Sequence, residues 1–351
     1  MFIKRLFSTN AFKLSTVNLN GVSEIVYNKL MFPVGICQQI FNPHISVIGY
    51  GSQGRAQSLN LKKNGYKVIV GLNPEGKSWK RAIADGWVPK ETLFSIDEAC
   101  QKGEMIKYLL SDQGQIEQWD NVKKYLTTGK TLYFSHGFGI VFKEQTHIDP
   151  PQDIDVIMVA PKASGVTLMN QPVNCSYAVY QNYSNIAEEK AIVSAFGINC
   201  NNLFKTTFEQ EVYSDLTGER SVLMGMILGA FKAQYDVLIA NGHPKSEAWN
   251  ETVEEALNSL YKFINEVGPE ELINNCSYTA RIGCLDYMDR FEKVIKPVIE
   301  QCYNDVKQGK ESERVISYFS GKDSMIDLQN KVNNVCDQDI WKVGKEMRKL
   351  R

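Results

Sequence analysis

The chain has 351 residues, 43% of them hydrophobic and 23% charged, with a formal net charge of −1. That is enough apolar chain for about two domains with their own cores, without disulfides or a structural metal. The balanced charge excludes a basic nucleic-acid-binding surface and an acidic solvated tail as dominant features.

The first acid is Glu24, whereas Lys4, Arg5 and Lys13 precede it among apolar and hydroxyl residues. A basic, acid-poor start of this kind describes an organellar presequence, with an unaddressed basic N-terminus as the alternative. Residues 1–40 therefore read as presequence and arm. No long apolar run suits a secretory signal, and the apolar stretch Val222 to Phe231 is too short to cross a bilayer.

From His44 onward short apolar runs alternate with helical periods. Strands are predicted at 45–48, 67–71, 105–110, 131–134, 154–159 and 176–180, with helices at 53–64 and 78–85. Buried strands separated by helices predict a parallel sheet with crossover helices over residues 41–205. After Phe204 long helical periods take over, at 208–241, 246–267, 270–276, 288–308 and 323–334. Residues 206–351 read as an all-α domain. The eight cysteines form no Cys-x-x-Cys pair and read as reduced thiols, and the four scattered histidines argue against a zinc site.

The apolar run Ile45 to Ile48 leads into Gly49-Tyr50-Gly51-Ser52-Gln53-Gly54, a helix follows, and a second strand starts near Lys67. That context turns a weak glycine string into a dinucleotide-binding signal. Gly49 permits the turn, Gly51 lets a pyrophosphate approach the backbone, and Gly54 allows close helix–strand packing. The helix N-terminus supplies N–H groups for phosphate. After the second strand, Asn73 stands where an acid would bind the ribose of NAD. Lys77 and Ser78, with Lys80 nearby, suit a 2′-phosphate, so the reading favours NADPH, with Glu75 discordant.

In the helical half Asp215 and Glu219 are four residues apart, as are Glu251 and Glu255. On a helix each pair shares a face. Facing helices would gather four carboxylates, which in a dry site need either a strong pKa shift or a cation, and hard oxygen ligands suit Mg²⁺. The bland alternative is acids on solvated helix faces.

Separated strings now carry a resemblance: GYGSQG (49–54), LYFSHGF (132–138), VAPKASG (159–165), SDLTGER (214–220), NETVEEA (250–256), CSYTAR (276–281) and IWKVGKEMRKLR (340–351). Over about residues 45–351 the chain resembles ketol-acid reductoisomerase in its short, fungal mitochondrial form. The resemblance implies a Rossmann-type domain followed by a knotted, dimeric helical domain. It implies Mg²⁺-dependent alkyl migration and NADPH reduction of 2-acetolactate or 2-aceto-2-hydroxybutyrate to 2,3-dihydroxy acids, for valine, isoleucine and leucine synthesis. Two Mg²⁺ ions would act as Lewis acids.

Carried over by position, Asp215 and Glu219 would ligate metal. Glu251 and Glu255 would complete the shell, in cis or from a partner subunit. His136 would stand near the reacting centre, Lys162 would orient metal-bound water, and Ser277 would hold the substrate carboxylate. The glycine-loop residues 49–54, Lys77, Ser78, Ser111 and Gly165 would line the cofactor. The implied partners are a small-molecule substrate and a second copy or larger homo-oligomer, with no nucleic acid and no membrane, in the mitochondrial matrix. Without the family, His136 reads as a strand-end residue, Lys162 as a loop lysine and Ser277 as a turn or helix-end serine.

The sequence departs from the family pattern in three places. The loop after Gly165 is short and lacks an arginine, and Asn73-Pro74 stands where the fungal form carries one. Arg55 replaces a common histidine, in reach of a phosphate. Two competing readings remain: a 2-keto-acid dehydrogenase, which would not need the carboxylates, and a non-catalytic nucleotide-binding scaffold, which only the short loop and the lost arginine support.

Overall fold

The computed structural model describes residues 15–351. They divide into two compact units, up to Val212 and from Tyr213 onward. The presequence reading of the first residues lies outside the described part.

The first unit is built on one ten-stranded sheet in the order β1-β2-β10-β9-β8-β7-β6-β3-β4-β5. Its strands are β1 (Ser15–Leu19), β2 (Val22–Asn28), β3 (Ile45–Ile48), β4 (Val68–Gly71), β5 (Leu93–Phe94), β6 (Met105–Tyr108), β7 (Thr131–Phe134), β8 (Asp155–Pro161), β9 (Val173–Gln181) and β10 (Cys200–Lys205). The central strands β3, β4, β6, β7 and β8 pair in parallel and are almost wholly buried. Near-continuous apolar runs such as Ile45-Ser46-Val47-Ile48 are what a sheet covered on both faces requires.

The helices that matter for the site are α1 (Ser52–Lys63), α2 (Lys77–Ala84), α3 (Asp112–Lys123), α4 (Gly165–Asn170), α5 (Ala187–Gly197) and α6 (Phe208–Arg220). One core cluster contains Val47, Val70, Tyr133, Val159 and Phe196. The other contains Ile48, Ile106, Phe134, Met158 and Phe208.

The sheet is mostly parallel, as expected, but it is mixed rather than purely parallel. β9 runs antiparallel to β8, and β2 runs antiparallel to β10. The connection from Lys162 to Pro172 holds only the short α4, and a parallel crossover needs a dozen residues or more. The segment read as an arm contributes the β1–β2 hairpin, which buries Val26 and Tyr27. Strand β10 escapes a periodicity reading because Asn201 and Asn202 interrupt its apolar residues.

The second unit is helical. α6 ends at Arg220 and α7 (Gly225–Ala240) follows, so the long predicted helix is broken at Ser221 to Met224. Its core gathers Phe231, Tyr235, Ala248, Trp249, Val253 and Ile340. Gly344 explains part of the C-terminal string: a Cβ there would lie 2.2 Å from the Trp249 ring. The stretch holding Glu251 and Glu255 winds as π-helix, over Asn250–Glu254 and Ala256–Leu260. Such wide turns occur mostly as local bulges, often at functional sites. α8 (Tyr278–Lys307) is the longest helix among the described residues.

Candidate active site

The glycine loop joins β3 to α1. Gly49 has φ +102, and a Cβ on it would meet the Leu109 carbonyl oxygen at 2.5 Å. A Cβ on Gly54 would lie 2.2 Å from the Gly49 carbonyl oxygen, so helix and turn touch backbone to backbone. Gly51 is different: nothing lies within 4 Å of the place its Cβ would take. It is also the N-cap of α1, and no side chain caps that terminus. Open space over an uncapped helix N-terminus fits a pyrophosphate.

Neighbouring segments complete this edge. The Gly165 amide donates to Ser52 Oγ at 3.1 Å, and a Cβ on Gly165 would lie 2.2 Å from the Ser52 carbonyl oxygen. Gln53 Nε2 donates to the Ala163 carbonyl at 3.1 Å. Ser111 caps α3 by accepting from the Gly114 amide. Lys77 and Ser78 occupy the first turn of α2, whose N-cap Gly76 also leaves the terminus without a side-chain cap.

Arg55 does not stand ready for a phosphate. Asp85 grips its guanidinium at 2.7 and 2.8 Å, and the Tyr50 hydroxyl donates to the same carboxylate at 2.9 Å. Trp87 Nε1 donates to the Tyr50 hydroxyl at 2.8 Å. The Arg55 hydrogen bonds hold the Asp85 carboxyl below its usual range, ahead of an opposing effect of burial. The sequence pairs no partner with Arg55, because Asp85 lies 30 residues away.

The chemical centre of the first unit lies at the end of β7. His136 Nδ1 is 3.1 Å from Glu211 Oε2, and Lys162 Nζ donates to Glu211 Oε1 at 2.9 Å. The Glu211 side chain is 2% exposed, against 23% for His136 and 38% for Lys162. Burial works to raise the Glu211 carboxyl, but the hydrogen bond and charge of His136 and the contribution of Lys162 outweigh it and hold it low. Glu211 is therefore an anion at neutral pH. An ionised carboxylate only accepts hydrogen bonds, so His136 carries a proton on Nδ1.

Gly137 makes this approach possible: a Cβ there would meet the Phe208 ring at 2.8 Å and Val212 at 3.1 Å, at the start of α6. Sequence reading missed Glu211. The available signal was spacing, because Glu211, Asp215 and Glu219 recur every four residues along α6 and share one face.

The remaining predicted residues have distinct settings. Asp215 is half-buried, whereas Glu219, Glu251 and Glu255 are exposed. Among the described residues, no three of these four carboxylates come together as a ligand group within one chain. Ser277 caps α8 by accepting from the Ala280 amide at 3.3 Å.

Comparison with known proteins decides between the readings. The acetohydroxy acid isomeroreductase NADPH-binding domain matches residues 39–203, and the ketol-acid reductoisomerase C-terminal domain matches residues 208–351. The chain belongs to the ketol-acid reductoisomerase family. The mitochondrial ketol-acid reductoisomerase of Saccharomyces cerevisiae is 46% identical over 356 residues, covering 100% of this chain and 90% of the relative. A ketol-acid reductoisomerase (NAD(+)) of Desulfosudis oleivorans is also 46% identical, over 96% of this chain and 98% of the relative. A solved NADH-preferring ketol-acid reductoisomerase from an uncultured archean superposes with a TM-score of 0.83 at 30% identity, covering 93% of this chain and 99% of that one. The family acts in branched-chain amino-acid biosynthesis, and its N-terminal domain binds a nicotinamide cofactor.

Proposed function

We propose that this reductoisomerase isomerises 2-acetolactate or 2-aceto-2-hydroxybutyrate with Mg²⁺ and reduces the product with NADPH. The observation that carries the reading is the buried Glu211 carboxylate, held by His136 and Lys162 at the head of a carboxylate-bearing helix face. Hard oxygen donors in that row fit Mg²⁺. Asp215 and Glu219 would hold the metal, and Glu251 and Glu255 would complete the shell from a partner subunit, consistent with their exposure. When bound, the metal ions polarise the ketol oxygens and the dihydronicotinamide supplies hydride.

The protein's own groups then have defined tasks. Glu211, kept anionic, orients His136 through Nδ1 and draws the Lys162 ammonium to the same point. The Lys162 ammonium brings positive charge, and the oriented His136 ring brings a polar group, to where a substrate alkoxide or carboxylate sits. Gly51 and the first turn of α1 receive the pyrophosphate, and Gly165 keeps the α4 segment against Ser52.

NADPH is assigned to Lys77 and Ser78 in the first turn of α2, where a cation, a hydroxyl and a helix N-terminus coincide. Arg55 takes no part, because Asp85 neutralises it. A second copy of the chain is the partner. α8 exposes Tyr278, Ile282, Phe291, Val294 and Val298, each more than 60% accessible. Apolar patches on this scale mark association surfaces. The names of the Saccharomyces and Neurospora relatives include "mitochondrial", which supports a mitochondrial location, with the matrix as the compartment proposed.

The test is optical: oxidation of NADPH by 2-acetolactate with and without Mg²⁺, with NADH and Asp215→Asn in parallel. Mg²⁺-dependent turnover that is lost in the variant and favours NADPH is the expected result. Turnover without Mg²⁺ would overturn the metal assignment, and preference for NADH would overturn the role of Lys77 and Ser78. Sedimentation of the protein tests the dimer, and import of the chain into isolated mitochondria tests the location.

A further inference from the structure

Gln57 is wholly buried one turn into α1, and its side chain is saturated with hydrogen bonds. Its Oε1 accepts from the Tyr133 hydroxyl at 2.9 Å and from Lys107 Nζ at 3.4 Å. Its Nε2 donates to Ser135 Oγ at 2.5 Å and to Gln53 Oε1 at 3.3 Å. A side-chain amide offers two donors and two acceptor directions, and all are used. Gln53 in turn donates to the Ala163 carbonyl at 3.1 Å.

The ends of this network are informative. Gln53 belongs to the dinucleotide loop. Ser135 precedes His136, and Ala163 follows Lys162. One buried amide therefore connects the segment that receives the nucleotide to both segments whose side chains converge on Glu211.

Lys107 supports the hub from below. It is wholly buried on β6, with Nζ 3.4 Å from the centre of the Tyr133 ring. Among the described residues no ion pair joins it to a carboxylate, and burial pushes its ammonium well below the usual lysine range. An amine in such a place is unfavourable for stability by itself. Its service to the fold is the hydrogen bond to Gln57.

We propose that Gln57 is a positioning residue of the reductoisomerase, its amide network holding the dinucleotide loop in register with the His136 and Lys162 segments, and that Lys107 acts through it. The proposal rests on the site reading above. Its physical basis is that hydride transfer between two bound partners depends on their relative placement, and a misplacement of about 1 Å costs roughly 100-fold in rate.

The opposing explanation is that the network only stabilises the core. Three variants separate the two: Gln57→Leu, Lys107→Met, and the pair together. Gln57→Leu leaves the buried Lys107 amine without its acceptor, so its Tm falls. The double variant removes that orphan, while the Tyr133 hydroxyl keeps the Val159 carbonyl at 3.2 Å. Its Tm returns toward the parent's.

Parent turnover is measured first and tests the activity reading by itself. The expected result for the double variant is a parent-like Tm, a kcat reduced at least about tenfold and a substrate KM within about threefold of the parent. A readout independent of turnover is the ring-nitrogen resonance of His136, assigned in histidine-labelled protein. It shifts in Gln57→Leu and in the double variant if Ser135 loses its register. A double variant with parent-like Tm, kcat and His136 resonances would overturn the proposal and leave the network a stabilising role only.

Discussion

Replacing Glu211 by Gln keeps the volume of a wholly packed side chain and removes its charge. Of its two oxygens, one accepts from His136 at 3.1 Å and the other from Lys162 at 2.9 Å. Glutamine retains one acceptor and turns an N–H₂ toward the other donor. A hydrogen bond to a charged group contributes about 1.5–3 kcal/mol where it is sheltered. The Lys162 side is 38% exposed, so solvent screening lowers its share to about 1 kcal/mol or less. Losing one of the two, with partial relief by water at Lys162, amounts to roughly 1–2 kcal/mol, or about 5- to 30-fold in kcat/KM. The same loss lowers the Tm of the first unit by about 2–8 °C. The assay is Mg²⁺-dependent NADPH oxidation with 2-acetolactate, beside calorimetric melting of the same preparation. If Glu211→Gln melts like the parent and keeps kcat/KM within about twofold, Glu211 does not organise His136 and Lys162, and the reasoning is wrong.

Other outcomes follow from the same structure. The Asp85 carboxyl is held below its usual range mainly by Arg55, so its contribution is present above the unfolded value of about 4 and disappears as pH falls through the folded one. Denaturant melts of the parent and Asp85→Asn should therefore differ at pH 7 and converge on acidification; an unchanged gap at pH 2 contradicts the pairing. The buried pair Lys190–Asp155, 2.6 Å apart and at most 5% exposed, is broken by Lys190→Met at a cost of about 3–5 kcal/mol, which urea titration would detect. Gly165→Ala forces a Cβ to within 2.2 Å of the Ser52 carbonyl. The resulting strain of about 1–3 kcal/mol should weaken NADPH binding roughly 5- to 150-fold by fluorescence titration, and an unaltered Kd would show that this contact does not shape the cofactor edge. Mg²⁺ raises Tm in the parent and less in Asp215→Asn if that carboxylate ligates it; equal shifts in both proteins would remove Asp215 from the metal shell.

Much of the central sheet was legible because its strands are short, apolar and bounded by turns. β3 and β7 coincide with the predicted runs, and α1 begins one residue before its predicted start. The hairpin at 15–28 was not legible, because β1 and most of β2 are exposed and carry no buried-strand pattern. The glycine loop announced itself through its flanking strand and helix. Glu211 did not, because its significance depends on residues 49 and 75 positions away. Gln57 was equally silent: a polar residue pointing inward breaks the helical pattern without saying what it meets.

By itself the sequence determined the alternation of strands and helices, the dinucleotide turn, the acid spacing on α6 and, through the assembled motifs, the family. These are local properties of spacing and backbone permission, and a linear string carries them. Only the tertiary structure decided that Arg55 belongs to Asp85, that His136 and Lys162 converge on Glu211, and that Lys107 and Gln57 share a buried bond. Each of those depends on which side chains the sheet order brings within about 3 Å, and hydrogen bonding at that range is set by packing rather than by distance along the chain.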